Sequence, residues 1–83
     1  MTEHPLHFTL MSREYCSLCH KMLAALHVYQ TQYQFELTVI DVDSDAQLEA
    51  RYNELVPVLL LNDAEICHWY LDEKALLSAL SGK

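Results

Sequence analysis

Glycine is nearly missing from this chain, with one residue in 83, and there are only two prolines. Flexible linkers, collagen-like repeats and low-complexity spacers need far more of both, so those are excluded and short loops are expected. Positive charge is scarce as well. Arg13, Lys21, Arg51, Lys74 and Lys83 are scattered and stand against 12 acidic residues, for a net charge of −7. Nucleic acid and anionic membrane surfaces demand clustered Lys and Arg, so neither is an expected partner. No run approaches the roughly 20 apolar residues of a membrane span. Met1-Thr2-Glu3-His4-Pro5 lacks the basic-then-apolar order of a secretory leader, and a cytoplasmic location is the expectation. Three cysteines in a reducing compartment do not make a disulfide scaffold; they suit a working pair and one extra.

Apolar residues are plentiful, at 52%. One domain spanning residues 1–83 is expected, with a modest core that needs no metal or structural disulfide. Leu6 to Met11 alternates bulky apolar residues and reads as a strand. After a short polar loop, Leu18, Met22, Leu26 and Tyr29 mark one face of a helix from Cys16 to about Gln30. Phe35, Leu37 and Val39 alternate with Glu36 and Thr38, giving a second strand that ends at Asp41 or Val42. Ser44 with Gln47 has the spacing of a capping box, opening a short helix through Leu48 and Tyr52. Pro57 to Leu61 is a continuous apolar run, as a strand buried on both faces would be. Asn62-Asp63-Ala64 supplies a turn and Glu65 to Tyr70 the returning strand. A last helix starts at Asp72 as its N-cap, with Leu76, Leu77 and Leu80 inward, a Leu71–Leu76 staple and Gly82 as the stop.

The chemistry sits at Cys16-Ser17-Leu18-Cys19, where the first strand gives way to the first helix. Thiols at i and i+3 on a helix start share one face and can close into a disulfide, and the positive end of the helix dipole favours a thiolate on the first. With His20 the segment also reads as Cys-x-x-Cys-His, the haem-attachment pattern. Haem wants a further axial ligand and a translocated, helical chain; the strands and the missing leader go against it. A zinc or iron–sulfur site needs more ligands than one Cys-x-x-Cys gives, so no metal is expected within one chain. Cys67 reads as a small hydrophobe in a strand. Asp41-Val42-Asp43-Ser44-Asp45 imitates the start of a calcium loop but has Ala46 at the sixth position and Tyr52 at the twelfth, and fails. Trp69 and Tyr70 read first as core aromatics, with the rim of a site as the alternative.

Strand, Cys-x-x-Cys helix and the later Val56-Pro57 together resemble the thioredoxin superfamily, and within it the small bacterial glutaredoxin-like proteins, over Leu6 to Leu80. The resemblance implies an α/β thioredoxin-like fold, β-α-β-α-β-β-α, with a four-stranded mixed sheet and three helices. It implies a cis Pro57 facing the active site, Cys16 as nucleophile and Cys19 as the resolving thiol in a thiol–disulfide oxidoreductase of cell redox homeostasis. Arg13 stands where many glutaredoxins carry a lysine for a glutathione carboxylate. Tyr15 would wall the site, Val56 would offer its backbone to an extended substrate or to glutathione, and Asp72 would help hold the γ-glutamyl end. The partner would be a disulfide-containing protein or a small-molecule disulfide, with no cofactor beyond glutathione as a candidate co-substrate, and the chain is expected to be a monomer. The competing readings are a binding or adaptor module with little turnover and a metal- or cluster-binding dimer. The chain departs from the superfamily in three places; Leu10 stands where thioredoxins keep a buried Asp about six residues before the first Cys. Ser17-Leu18 stands between the cysteines where dithiol glutaredoxins have Pro-Tyr, and His68-Trp69-Tyr70-Leu71-Asp72 keeps the acid but not the glycines of Gly-Gly-x-x-Asp.

Overall fold

A computed structural model of the protein describes residues 6–81. The chain runs β1 (Leu6–Ser12), α1 (Ser17–Gln32), β2 (Phe35–Asp41), a 3-10 turn (Val42–Ser44), α2 (Ala46–Tyr52), β3 (Val58–Leu61), β4 (Ala64–His68) and α3 (Glu73–Ser81). This is the expected β-α-β-α-β-β-α order. The strands form one mixed sheet in the order β2-β1-β3-β4, with β1 parallel to β2 and antiparallel to β3, and β3 antiparallel to β4. Met1–Pro5, where a leader was sought, and the expected helix stop at Gly82 lie outside the described residues.

Alternation along the strands divides the core into two layers. Phe8 and Leu10 of β1, Phe35 of β2 and Leu59 of β3 pack with Met22 and Leu26 of α1 and Leu76 of α3. Met11, Val58 and Leu60 point the other way and meet Val42 and Tyr52, with Leu48 of α2 against them. So α1 and α3 cover one face and α2 the other, and β1 and β3 in the middle of the sheet are buried from both sides. The Phe8 and Phe35 rings meet edge to face at 5.1 Å, a contact worth about 0.5–1.5 kcal/mol beyond its buried area. Tyr29 of α1 donates its hydroxyl to Glu73 of α3 at 2.9 Å, tying the two helices across the face they share, and this bond raises the Tyr29 pKa.

Three local expectations are corrected. The N-cap of α2 is Asp45, whose carboxylate accepts the Gln47 N–H at 2.8 Å; Ser44 lies in the 3-10 turn and donates its hydroxyl to the Asp41 carbonyl instead. Leu77 is turned outward and 36% exposed, whereas Leu76 is fully buried. The two face directions about 100° apart on the helix, and only one can meet the sheet. The hairpin loop is the two residues Asn62-Asp63, both at positive φ (53° and 70°), as a tight turn matched to strand twist requires, and Ala64 already belongs to β4.

Candidate redox site

Helix α1 begins with its own chemistry. Cys16 is the N-cap, in extended conformation, and its sulfur accepts the backbone N–H of Cys19 at 3.1 Å. The first turn of α1 carries no acidic side chain, so the positive end of the helix is left to the sulfur. Cys16 and Cys19 form a disulfide with their Cα atoms 5.1 Å apart. Cys16 is partly exposed and Cys19 fully buried, which separates a thiol that can be reached from one that cannot. Cys67, on β4, is partly buried and free, and burial pushes its thiol pKa up.

The other expected site residues are distributed unevenly. The Val56–Pro57 peptide is cis, and the Pro57 ring is fully buried. The Val56 N–H already donates to the Tyr52 carbonyl at 3.2 Å. Arg13 carries the backbone carbonyl that accepts the Cys16 N–H, but its guanidinium turns away to α2 and the 3-10 turn. There it binds both oxygens of Asp43 at 2.9–3.2 Å and reaches the Asn53 carbonyl at 3.4 Å, and the hydrogen bond to Asp43 raises its pKa further. Tyr15 is 89% exposed, standing free beside Cys16. Asp72 is the N-cap of α3, its carboxylate accepting the Ala75 N–H at 3.1 Å. Among the described residues no three His, Cys, Asp or Glu side chains come together as a metal ion would require.

Trp69, just past β4, has φ of 66°. The Tyr70 N–H donates to the His68 carbonyl at 2.7 Å, two residues back, which makes Trp69 the centre of a γ-turn of the rare positive-φ form. For a bulky side chain that backbone costs on the order of 1–3 kcal/mol and persists only where neighbours hold it. Two bonds do so: the Trp69 backbone N–H donates to the Pro57 carbonyl and the indole Nε1–H to the Glu54 carbonyl, each at 2.9 Å. The side chain is thereby anchored along the segment from Glu54 to Pro57.

Over residues 7–81 the sequence matches the family described as Glutaredoxin-like domain (DUF836). The chain belongs to that family. A Nitrosomonas europaea protein with a solution NMR structure, Ne2328, is 38% identical, covering 98% of each chain at a TM-score of 0.86. A Mycobacterium tuberculosis protein is 31% identical over 72 residues, 81% of this chain and 74% of its own. The thioredoxin of Fasciola hepatica, 17% identical over 93% of this chain and 79% of its own, superposes at a TM-score of 0.61 and shows the fold alone. A glutaredoxin-like domain with a Cys-x-x-Cys pair in a thioredoxin fold supports a redox role.

The glutaredoxin-like domain also holds features that its sequence did not announce. Of Asp41, Asp43 and Asp45, the acids of the failed calcium-loop pattern, only Asp43 reaches Arg13, while Asp41 caps the 3-10 turn and Asp45 caps α2. Nothing in the spacing of the three acids singles out Asp43. Trp69 and Tyr70 are not core aromatics: they are 46% and 69% exposed. They line a groove of about 330 Å³ with Leu18, Met22, Ala25 and Leu71; neither cysteine is in its lining, and Leu18, which lies between them in the chain, is its link to the disulfide segment. Lys21 and Glu73 complete its walls with opposite charges. Among the described residues no helix is long and apolar enough to cross a membrane.

Proposed function

We propose that this glutaredoxin-like domain is a dithiol thiol–disulfide oxidoreductase in which Cys16 attacks and Cys19 resolves. The observation that carries the reading is the sulfur of Cys16 at the N-cap of α1, bonded to the Cys19 N–H, with Cys19 itself buried. A sulfur there meets an N–H and the positive helix end, both of which favour thiolate and make it a good leaving group. In the reducing direction, the Cys16 thiolate attacks one sulfur of a substrate disulfide. The new S–S bond forms as the old one breaks, and the other substrate sulfur leaves as a thiolate and takes up a proton. Cys19 then gives up its proton and attacks Sγ of Cys16. This releases the second substrate thiol and closes the Cys16–Cys19 disulfide, so that two electrons have passed to the substrate. An external thiol or dithiol returns them. A monomer in a reducing cytoplasmic compartment suits this cycle, since the dithiol form must be regenerated there.

The test is a pair of trapping variants. With a small aromatic disulfide as probe, Cys19→Ser should accumulate a mixed disulfide at Cys16, located by peptide mass, and Cys16→Ser should accumulate none. On the reduced wild type, iodoacetamide should modify Cys16 well ahead of Cys19 at neutral pH. Equal trapping by both variants would reverse or abolish the assigned order, and no trapping by either would sink the catalytic reading.

A further inference from the structure

The cleft beside the disulfide is unsuited to a small anionic thiol compound and suited to an apolar side chain. Glutathione carries two carboxylates and one ammonium at neutral pH, and binding it takes a free cation and a free stretch of backbone. Beside Cys16 the cation of the loop and the Val56 N–H are both already engaged. Arg13, the cation of the β1–α1 loop, is held by both oxygens of Asp43. The Val56 N–H is bonded to Tyr52, and the indole of Trp69 lies along the same segment, fixed at Pro57 by its backbone and at Glu54 by its ring nitrogen. Lys21 and Glu73 both line the groove, so its walls carry no net charge, and the whole chain carries −7. What the groove does present is Leu18, Met22, Ala25, Leu71 and the faces of two exposed aromatic rings, in a volume at the lower end of the roughly 300–1,000 Å³ of ligand sites.

We infer that the substrates are disulfides of polypeptides with an apolar side chain next to the reacting cysteine, and that Trp69 is the residue that sets this preference over glutathione. The inference rests on the oxidoreductase reading for its substrate half. The apolar side chain enters the groove against Trp69 and Tyr70 while Cys16 attacks the neighbouring sulfur, with the same bond exchange as above and an external dithiol to restore the pair. Trp69 acts twice: its ring is one wall of the groove and its tether closes the backbone edge at Val56.

Trp69→Gly and Trp69→Phe decide the matter. Glycine accepts the positive φ at position 69 without strain, and phenylalanine keeps an aromatic ring while losing the bond to Glu54, so one of the two should fold as the wild type does by circular dichroism. With dithiothreitol as reductant, the wild type should reduce insulin disulfides well above the dithiothreitol background and oxidised glutathione hardly above it. Trp69→Gly should raise the glutathione disulfide rate by about ten-fold or more relative to the insulin rate, a change of about 1.4 kcal/mol in relative barrier. Trp69→Phe should fall between. Wild-type rates that are equal for the two disulfides, or a ratio unmoved by Trp69→Gly, would overturn the proposal. Calorimetric titration with S-methylglutathione reads the cleft without turnover. No heat from the wild type and millimolar binding by Trp69→Gly support the role of Trp69, whereas binding by the wild type, or by neither, refutes it. A wild type inactive on both disulfides counts against the oxidoreductase reading, and the titration still decides the role of Trp69.

Discussion

Two adjacent leucines in α3 should respond very differently to truncation. Leu76 is the one fully buried side chain of that nine-residue helix and joins Phe8, Leu10, Met22, Leu26, Phe35 and Leu59 in the larger core; Leu77, beside it, is 36% exposed. Leu76→Ala removes a buried isobutyl group and leaves a cavity between α3, α1 and the sheet, which costs about 2.7–5 kcal/mol in well-packed cores. A domain of this length has about 4–12 kcal/mol of total stability, so the loss is a large part of the whole. With a urea slope of about 1 kcal/mol per molar, the unfolding midpoint should fall by about 3–5 M, and the thermal midpoint by about 10–40 °C. Leu77→Ala loses little burial and should stay within about 0.5 kcal/mol of the wild type. Urea unfolding followed by far-UV circular dichroism, on the oxidised protein so that the disulfide is constant, measures both. If Leu76→Ala costs less than about 1 kcal/mol, or the two variants are equal, then α3 is not docked through Leu76, and the placement of the groove wall at Leu71 and Glu73 fails with it.

The remaining expectations concern the site. Because burial raises the pKa of the Cys67 thiol, its thiolate is scarcer at a given pH than that of a free cysteine, so alkylation of Cys67 should become rapid only at a pH above the ordinary thiol range of about 8.5. A pH profile of iodoacetamide labelling by peptide mass checks this, and early labelling of Cys67 near neutrality would contradict it. Because Arg13 is committed to Asp43, Arg13→Ala should change the alkylation rate of reduced Cys16 by no more than about two-fold, as expected of a partly solvated pair pointed elsewhere. A ten-fold drop would mean that the guanidinium serves the sulfur after all.

The parts of this protein that were legible in its sequence are those set by local rules. Period-2 alternation found β1 and β2, the apolar run found β3, and Asp72 announced the start of α3 through its ability to accept an N–H. The Cys16–Cys19 pair was legible because a strand-to-helix junction is where a Cys-x-x-Cys has its chemistry. Where two neighbours could each satisfy a rule, tertiary packing chose. Ser44 and Asp45 can both cap a helix, and the 3-10 turn engaged Ser44 first. Leu76 and Leu77 are equally apolar, and the angle at which α3 meets the sheet selected one. Arg13 and Trp69 could not be placed from the sequence, for a different reason. Their roles depend on partners 30 and 15 residues away, Asp43 and Glu54, and no spacing rule reaches that far.

The strand order has a consequence for how the molecule is made. β1 lies in the middle of the sheet, yet it leaves the ribosome before the other three strands, and its two neighbours are built some 30 and 50 residues later. Once Phe35–Asp41 has emerged, β1 can pair with β2 across α1, but its other edge stays open until Val58–Leu61 follows. During that interval Phe8, Leu10 and Met11 sit on a sheet without its third strand, and Leu76 has not been synthesised. Long-range pairing of this kind slows folding and leaves apolar surface bare in the nascent chain. Although made before its neighbours, β1 thus stays half paired until β3 emerges, and that interval leaves the chain open to misassociation.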